Sequence, residues 1–417
     1  MKFVKPSRVD GSVAAPPSKS MTQRAFALAA LTRGESEIRH FSVADDALSA
    51  LDIATEFAAG VRLDPVSRSI FLAGGGAPET ETLDCGESGL AMRMFAAVAA
   101  LQKRPLTLTA TGSLARRPVG FIEDTLRALG AEAQTAGGLP PLRVCGPLRG
   151  GRATVDGAVS SQFLSGLLIA LPRCRRHSRL TVANLKSKPY VRLTLAMVRQ
   201  AGGIIRCDDD LAEFEIPGRQ KYQPQTYIVE RDWSGAAFLL AAGAIAGRVT
   251  VRGLDPQSEQ ADRAVLDALR LAGARVEIGG DGVTVVRDER RAFAFDATDC
   301  PDLFPPLAAL AACCAGTSAL TGVGRLRHKE SDRAAALIAE FGKIGAALRV
   351  DGDVLLVAGA PLTGGEVDSH GDHRIAMALA VAALASRDGV NIRGEGCVAK
   401  SYPDFFEDLL SIAEPKS

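Results

Sequence analysis

Aromatic residues are scarce in this chain: Phe, Tyr and Trp make up 5% of its 417 residues, with a single Trp. A surface that stacks nucleobases interleaves aromatics with basic side chains, so single-strand nucleic-acid binding is excluded as a main role. An excess of one charge is also missing. The 49 Lys and Arg stand against 48 Asp and Glu, a formal net charge of +1. The basic residues form no runs, so any anion site must come from a local cluster. Long apolar runs are absent too. Stretches such as Ala236 to Gly247 fall far short of the roughly 20 residues a membrane span needs. The opening MKFVKPSRVDGSV has no apolar centre, so it does not read as a signal peptide. The eight cysteines show no CxxC spacing, and buried free thiols in a reducing compartment are expected. A soluble, cytoplasmic protein follows. There is no GxxxxGK[ST] loop, no HExxH and no G-x-S-x-G elbow. The glycines of Ala73 to Ala77 lack the following Lys and helix and read as a turn. No His/Cys set has metal-ligand spacing, so no metal is expected.

What the chain does have is a repeat. Glycines end amphipathic segments at Gly60, Gly130, Gly202, Gly273 and Gly345, about 71 residues apart. A Gly just past a helix reads as a C-cap. A second helix type recurs at the same period, starting near Ser20, Gly89, Gln162, Ser234, Asp302 and Asp372. These helices are rich in Ala and Leu almost all round, which marks them as buried. Short strand-like runs follow each one. Six units of about 70 residues fill the chain, each with a buried helix, a strand, an amphipathic helix and further strands. A length of 417 residues suits two domains. The expected fold is α/β and inside-out: two domains of three βαβαββ-type units, helices within and sheets outside. The first domain is placed at residues 15–230, the second at 1–14 plus 231–417, so the first strand crosses to the second domain.

The starts of these helices carry the chemistry. Ser, Asp and Pro there are explained by capping. Lys and Arg are not, because a cation in the first turn opposes the helix dipole. Lys19, Arg24, Arg117, Lys188, Lys329, Arg333, Arg374 and Lys400 all lie at or just inside helix starts. An anion shared between them and the free N–H groups resolves the conflict. Helices of one polarity would gather these starts on one face of each domain, and two opposed faces would make a cationic cleft. The expected ligand is small and multiply anionic. Asp302 and Glu330 sit beside cations in the second domain, Asp45 and Asp46 in the first, where a carboxylate stays charged and serves as a base. Plainer readings stand beside these. Asp302 could be an N-cap, Glu330 a partner of Arg333, and His373 a packed histidine.

The stretches PPSKSMTQR (16–24), GESGLAMR (86–93), ARRPVG (115–120), SSQFLSGLL (160–168), KSKPY (186–190), PDLFPPLAALA (301–311), HKESDR (328–333), GDHRIAMA (371–378) and KSYPDFF (400–406) resemble the 5-enolpyruvylshikimate-3-phosphate synthase family from end to end. The resemblance implies the six-unit, two-domain fold. It implies a cytoplasmic, monomeric enzyme of the shikimate pathway to chorismate and the aromatic amino acids, with no metal or organic cofactor and no nucleic-acid or membrane partner. The implied substrates are shikimate 3-phosphate and phosphoenolpyruvate. By the same resemblance, Ser20 and Arg24 hold shikimate 3-phosphate; Ser160, Ser161 and Ser187 grip its phosphate; and Gln162 touches the ring and pyruvyl region. Asp302 contacts the ring hydroxyls with help from Lys329, and Lys19 spans both substrates. Arg117, Arg333, Arg374 and Lys400 bind phosphoenolpyruvate, beside which Gly89 lies. Asp302 and Glu330 are the implied acid–base pair, with Lys19 a further proton donor to C3. The implied addition–elimination passes through a tetrahedral adduct, with closure around the first substrate.

Three positions depart from the commonest pattern: Glu87 and Gly371 replace Asn, and Arg325 stands near another Asn. They bear on affinity and inhibitor response rather than on the reaction. The small Gly89 is retained, which implies sensitivity to glyphosate. The related UDP-N-acetylglucosamine enolpyruvyl transferases usually carry a reactive Cys in a first-domain loop, and Thr109 to Arg117 has none. A non-catalytic anion binder would not require Asp302 and Glu330 among its cations.

Overall fold

A computed structural model describes residues 1–158 and 161–415. The chain divides into two compact units, Met1–Pro16 with Arg231–Ser417 and Pro17–Glu230.

Among the described residues the 17–230 unit holds six α-helices. They are α1 (Lys19–Leu31), α2 (Asp45–Glu56), α3 (Gly89–Ala99), α4 (Phe121–Ala128), α5 (Ser161–Ala170) and α6 (Lys188–Gln200). Every residue of α3 is buried, as is α1 from Met21 to Leu31. The apolar, Ala-rich sequence leaves no face for water, so these helices pack on one another. Three four-stranded sheets cover them. One runs in the order Thr226–Ile228, Gly34–Arg39, Ser69–Gly74, Ala58–Asp64. The second runs Thr82–Asp84, Pro105–Thr109, Leu139–Cys145, Glu132–Ala136, and the third Arg152–Asp156, Ser178–Ala183, Glu213–Ile216, Arg206–Cys207. In each, the first pair is parallel and the rest antiparallel. Strands such as Arg152–Asp156 and Ser178–Ala183 alternate in burial at every second residue, turning one face to the helices and one to solvent, whereas the edge strand Ala58–Asp64 has no buried residue.

Among the described residues the other unit also holds six α-helices, α7 (Trp233–Ala246), α8 (Val265–Leu271), α9 (Phe304–Ala312), α10 (Arg333–Lys343), α11 (His373–Ala383) and α12 (Phe405–Ser411), with sheets of five, four and three strands. All residues of α7, α9 and α11 are buried. The strand Ser7–Ala14, which leads into α1 of the other unit, lies parallel to Gly247–Arg252. Correspondingly Thr226–Ile228, which leads to α7, pairs in parallel with Gly34–Arg39.

Gly130, Gly202, Gly273 and Gly345 have φ between +82° and +93° and follow helix ends, as C-caps do. Gly60 does not. It lies inside the strand Ala58–Asp64 at a register shift between Ala58 and Gly60, with open space at its Cα. The helix stops at Glu56, so this glycine serves a β-bulge on an edge strand. Among the described residues no disulfide joins the thiols, yet only Cys85, Cys174, Cys300 and Cys314 are buried, while Cys207 is exposed. The burial expected of all eight holds for half, because α9 ends before Cys313 and the others lie on strands and turns. Among the described residues no helix is long and apolar enough to cross a membrane.

Candidate active site

In the unit of residues 1–16 and 231–417, the starts of α9, α10 and α11 converge on one ionic cluster. Asp302 lies in the 3₁₀ turn Pro301–Leu303 just before α9 and makes no capping hydrogen bond. Its Oδ1 accepts from Arg333 Nη1 at 2.7 Å and lies 3.7 Å from Lys329 Nζ. Its Oδ2 lies 3.1 Å from Arg374 Nη2. Arg333 is 1% exposed and serves three carboxylates at once. Besides Asp302, its Nη2 is 2.5 Å from Glu330 Oε2 and its Nε 2.8 Å from Asp372 Oδ2. The planar guanidinium fork makes such sharing possible where a lysine could not. Asp332 caps α10 by accepting from Ala335 N, which leaves Arg333 in the first helical position for this role. Asp372 caps α11 through Arg374 N and also accepts from Ser331 Oγ at 3.1 Å.

The electrostatics follow from this crowding. Burial pushes the Asp302 carboxyl up, but Arg374, Lys329 and Arg333 outweigh it and hold the group well below the usual carboxylate range. Burial lowers Lys329 to about 8; Asp302 opposes that shift, and Arg333 adds to it. Arg333 and Arg374 are held above their ordinary values by the carboxylates around them, against the cost of burial. Deeper in, Asp262 accepts from Ser234 Oγ and is raised to about 6, by burial first and then by the charge of Asp302. Lys400 donates to Gly371 O at 2.9 Å. Gly371 has φ +67°, a left-handed conformation that suits Gly and Asn alike, so the replacement of Asn keeps the backbone. His373 is buried at the start of α11, its Nδ1 4.0 Å from Asp372 Oδ1.

In the 17–230 unit, the starts of α1, α3, α5 and α6 are tied together by side chains. Lys19 Nζ lies 2.6 Å from Asp46 Oδ2 at the start of α2. Arg24, 1% exposed, donates to Thr194 Oγ1, Ser165 Oγ, Tyr190 O and Ser20 O, so it fixes the first turn of α1 against α5 and α6. Burial lowers it to about 10. Arg93 Nη1 donates to Gln162 Oε1 at 2.8 Å, and Arg93 Nη2 lies 3.4 Å from Pro118 O. A methyl on Gly89 would stand 2.9 Å from Arg117 Nη1 and 3.0 Å from Arg93 Nη1. A side chain larger than glycine's would make both guanidiniums give way at this helix start. Glu87 Oε2 accepts from Ser113 N at 2.7 Å and so anchors the loop that carries Arg117, a task the acid can do in place of Asn. Ser161 opens α5 and is buried. Ser187 precedes α6 at φ +56°, a strained conformation for a serine and of the kind found at functional sites. Ser160 lies outside the described residues.

The structure therefore gathers Lys19, Ser20, Arg24, Gly89, Arg117, Ser161, Gln162 and Ser187 in one unit, and Asp302, Lys329, Glu330, Arg333, Arg374 and Lys400 in the other. Lys188 stands apart, 3.8 Å from exposed Asp210. The sequence reading missed Arg93 and Asp372 as partners. The signal was there: Arg93 is one turn after Gly89, and Asp372 directly precedes His373-Arg374.

Residues 4–409 match a family model described as EPSP synthase (3-phosphoshikimate 1-carboxyvinyltransferase). The chain is 40% identical to the 3-phosphoshikimate 1-carboxyvinyltransferase of Methanoculleus marisnigri over 412 residues, covering 96% of each. It is 41% identical to that of Aeropyrum pernix, covering 98% of this chain and 95% of the relative. Among solved structures it is similar to the EPSP synthase of Acinetobacter baumannii, with TM-score 0.81, 26% identity, and 99% and 98% of the two chains covered. The enolpyruvyl transferase NikO of Streptomyces tendae shares the fold at TM-score 0.77 and 20% identity.

Proposed function

The chain belongs to the EPSP synthase family, and from that premise we propose that it transfers the enolpyruvyl group of phosphoenolpyruvate to the 5-hydroxyl of shikimate 3-phosphate, releasing phosphate, as a step of chorismate biosynthesis. One observation carries the reading: a carboxylate, Asp302, held by Arg333, Arg374 and Lys329, with Glu330 on the same guanidinium. Anionic substrates need those cations, and hydroxyl deprotonation needs that carboxylate.

The two demands are coupled. Phosphoenolpyruvate binding to Arg333 and Arg374 competes with Asp302 for the same N–H donors. As they turn to the substrate, the Asp302 carboxyl rises from its depressed range and becomes a better base when the ring hydroxyl arrives. Asp302 takes that proton while the oxygen attacks C2 of phosphoenolpyruvate. Glu330 or Lys19 gives a proton to C3. The tetrahedral adduct then expels phosphate and C3 loses a proton. The arginines stabilise the carboxylate and the leaving phosphate throughout. Ser161 and Ser187 hold the ring phosphate together with Ser160. Gln162, oriented by Arg93, and Ser20, placed through its carbonyl by Arg24, contact the shikimate ring. Arg117, beside Gly89, and Lys400 are assigned to phosphoenolpyruvate as well.

The test is phosphate release from purified protein and phosphoenolpyruvate, with either shikimate 3-phosphate or UDP-N-acetylglucosamine as acceptor. Release with shikimate 3-phosphate alone is expected. Release only with the sugar nucleotide overturns the acceptor, and release with neither overturns the activity.

A further inference from the structure

The buried helices of the 17–230 unit end at a second concavity. α1 ends at Leu31, α3 at Ala99, and α5 continues into the 3₁₀ turn Leu171–Arg173. The segments after all three line one cavity of about 780 Å³. Its floor is apolar, with Ala30, Leu31, Phe57 and Leu148. Its rim is basic: Arg33 follows α1, Lys103 follows α3, and Arg173, Arg175 and Arg176 follow α5. Arg149 and Arg219, from strand-end turns, complete it, and no Asp or Glu lines it. In a chain whose formal net charge is only +1, this is a concentrated positive field.

Cations near helix C-termini have an ordinary explanation, since they complement the dipole and cap terminal carbonyls. Here the carbonyls are already used. Ala30 O accepts from Gly75 N, Ala100 O from Leu148 N, Gln102 O from Gly146 N, and Cys174 O from Arg219 N. Arg173 Nη1 donates to Gln220 O and Arg219 Nε to Arg175 O. Among the described residues, the side chains of Arg33, Lys103, Arg149, Arg175 and Arg176 have neither a hydrogen bond nor an ion pair. Like charges brought this close repel, and Arg33 adds to the lowering that burial imposes on Arg173. A shared anion relieves that repulsion.

We propose that this cavity binds a compact polyphosphate-type anion, at a site separate from the residues of enolpyruvyl transfer. Guanidinium forks match phosphate oxygens. The volume lies within the usual range for small-molecule sites. Phe57 is 1% exposed and is the one aromatic on the lining, so no ring is offered for stacking a base, which favours a polyphosphate over a nucleotide. The site lies at the far ends of the helices from Lys19 and Gly89, roughly 18 Å along α1.

The test is calorimetric titration of the whole chain with inorganic tripolyphosphate in low salt. Wild type, R33A/R176A, R33K/R176K and K103A are compared, with phosphate release from phosphoenolpyruvate as a parallel readout. The side chains replaced are exposed and outside the transfer machinery. Tripolyphosphate should bind wild type, weaken about tenfold or more in R33A/R176A, stay within about threefold in R33K/R176K, and leave turnover unchanged in all. K103A, a milder change, should weaken binding about threefold and serves if the double variant fails to fold. No binding to wild type, equal binding to R33A/R176A and K103A, or equally tight binding of inorganic monophosphate each overturns the proposal.

Discussion

Raising the pH from 7 to 9 should cost this enzyme most of its kcat/KM for shikimate 3-phosphate, through one residue. Burial lowers Lys329 to about 8, and its ammonium stands 3.7 Å from Asp302. A group of that pKa is about 91% protonated at pH 7 and about 9% at pH 9, so the cationic form falls roughly tenfold. If only that form accepts the substrate, kcat/KM falls by the same factor, since it reports the free enzyme. The substrate does not confound the measurement, because a phosphate monoester loses its second proton near pH 6. Nor does unfolding. The folded pKa lies below the ordinary 10.5, so the unfolded chain binds more protons between about 8 and 10.5. This group's burial penalty is therefore full below pH 8 and is relieved as the pH rises, so its contribution to stability increases across that window. The assay is steady-state phosphate release at fixed phosphoenolpyruvate in half-unit pH steps. K329R supplies the control, because a guanidinium stays charged and the decline should vanish or move above pH 10. A flat wild-type profile to pH 9.5, or a parallel decline in K329R, refutes the assignment.

Replacing Asp302 by Asn should lower kcat about 100-fold or more while shikimate 3-phosphate binds within a few-fold of wild type by calorimetry, as expected on loss of a general base. A comparable loss of binding would make Asp302 a ligand rather than the base. Gly89→Ala places a methyl 2.9 Å from Arg117 Nη1. It should raise the KM for phosphoenolpyruvate roughly tenfold and weaken inhibition by glyphosate, which should compete with phosphoenolpyruvate in wild type; unchanged kinetics would show that the arginines yield freely. Thr194→Val removes the acceptor for buried Arg24 Nε and should destabilise the protein by about 2 kcal/mol in urea denaturation, against no change if the remaining partners suffice.

How much of this was legible in the residues depends on how local the cause is. The buried helices declared themselves, because an Ala- and Leu-rich segment such as Trp233–Ala246 has only one way to satisfy its surface. The glycine period carried the repeat, and it failed at Gly60 because a bulge and a helix cap both favour the same residue. The site cations were legible for a related reason: Arg333 and Arg374 stand in first turns, where the dipole opposes them, so their presence demanded an anion. What the sequence could not give was which anion. Asp302 and Asp372, 70 residues apart, both read as helix starters. One caps α11; the other caps nothing and instead meets three cations. Capping is decided within three residues of sequence, whereas a shared guanidinium is decided by the packing of α9, α10 and α11. Asp302 thus differs from Asp372 by the local bond it does not make, which the sequence, showing only a residue well suited to make it, could not reveal.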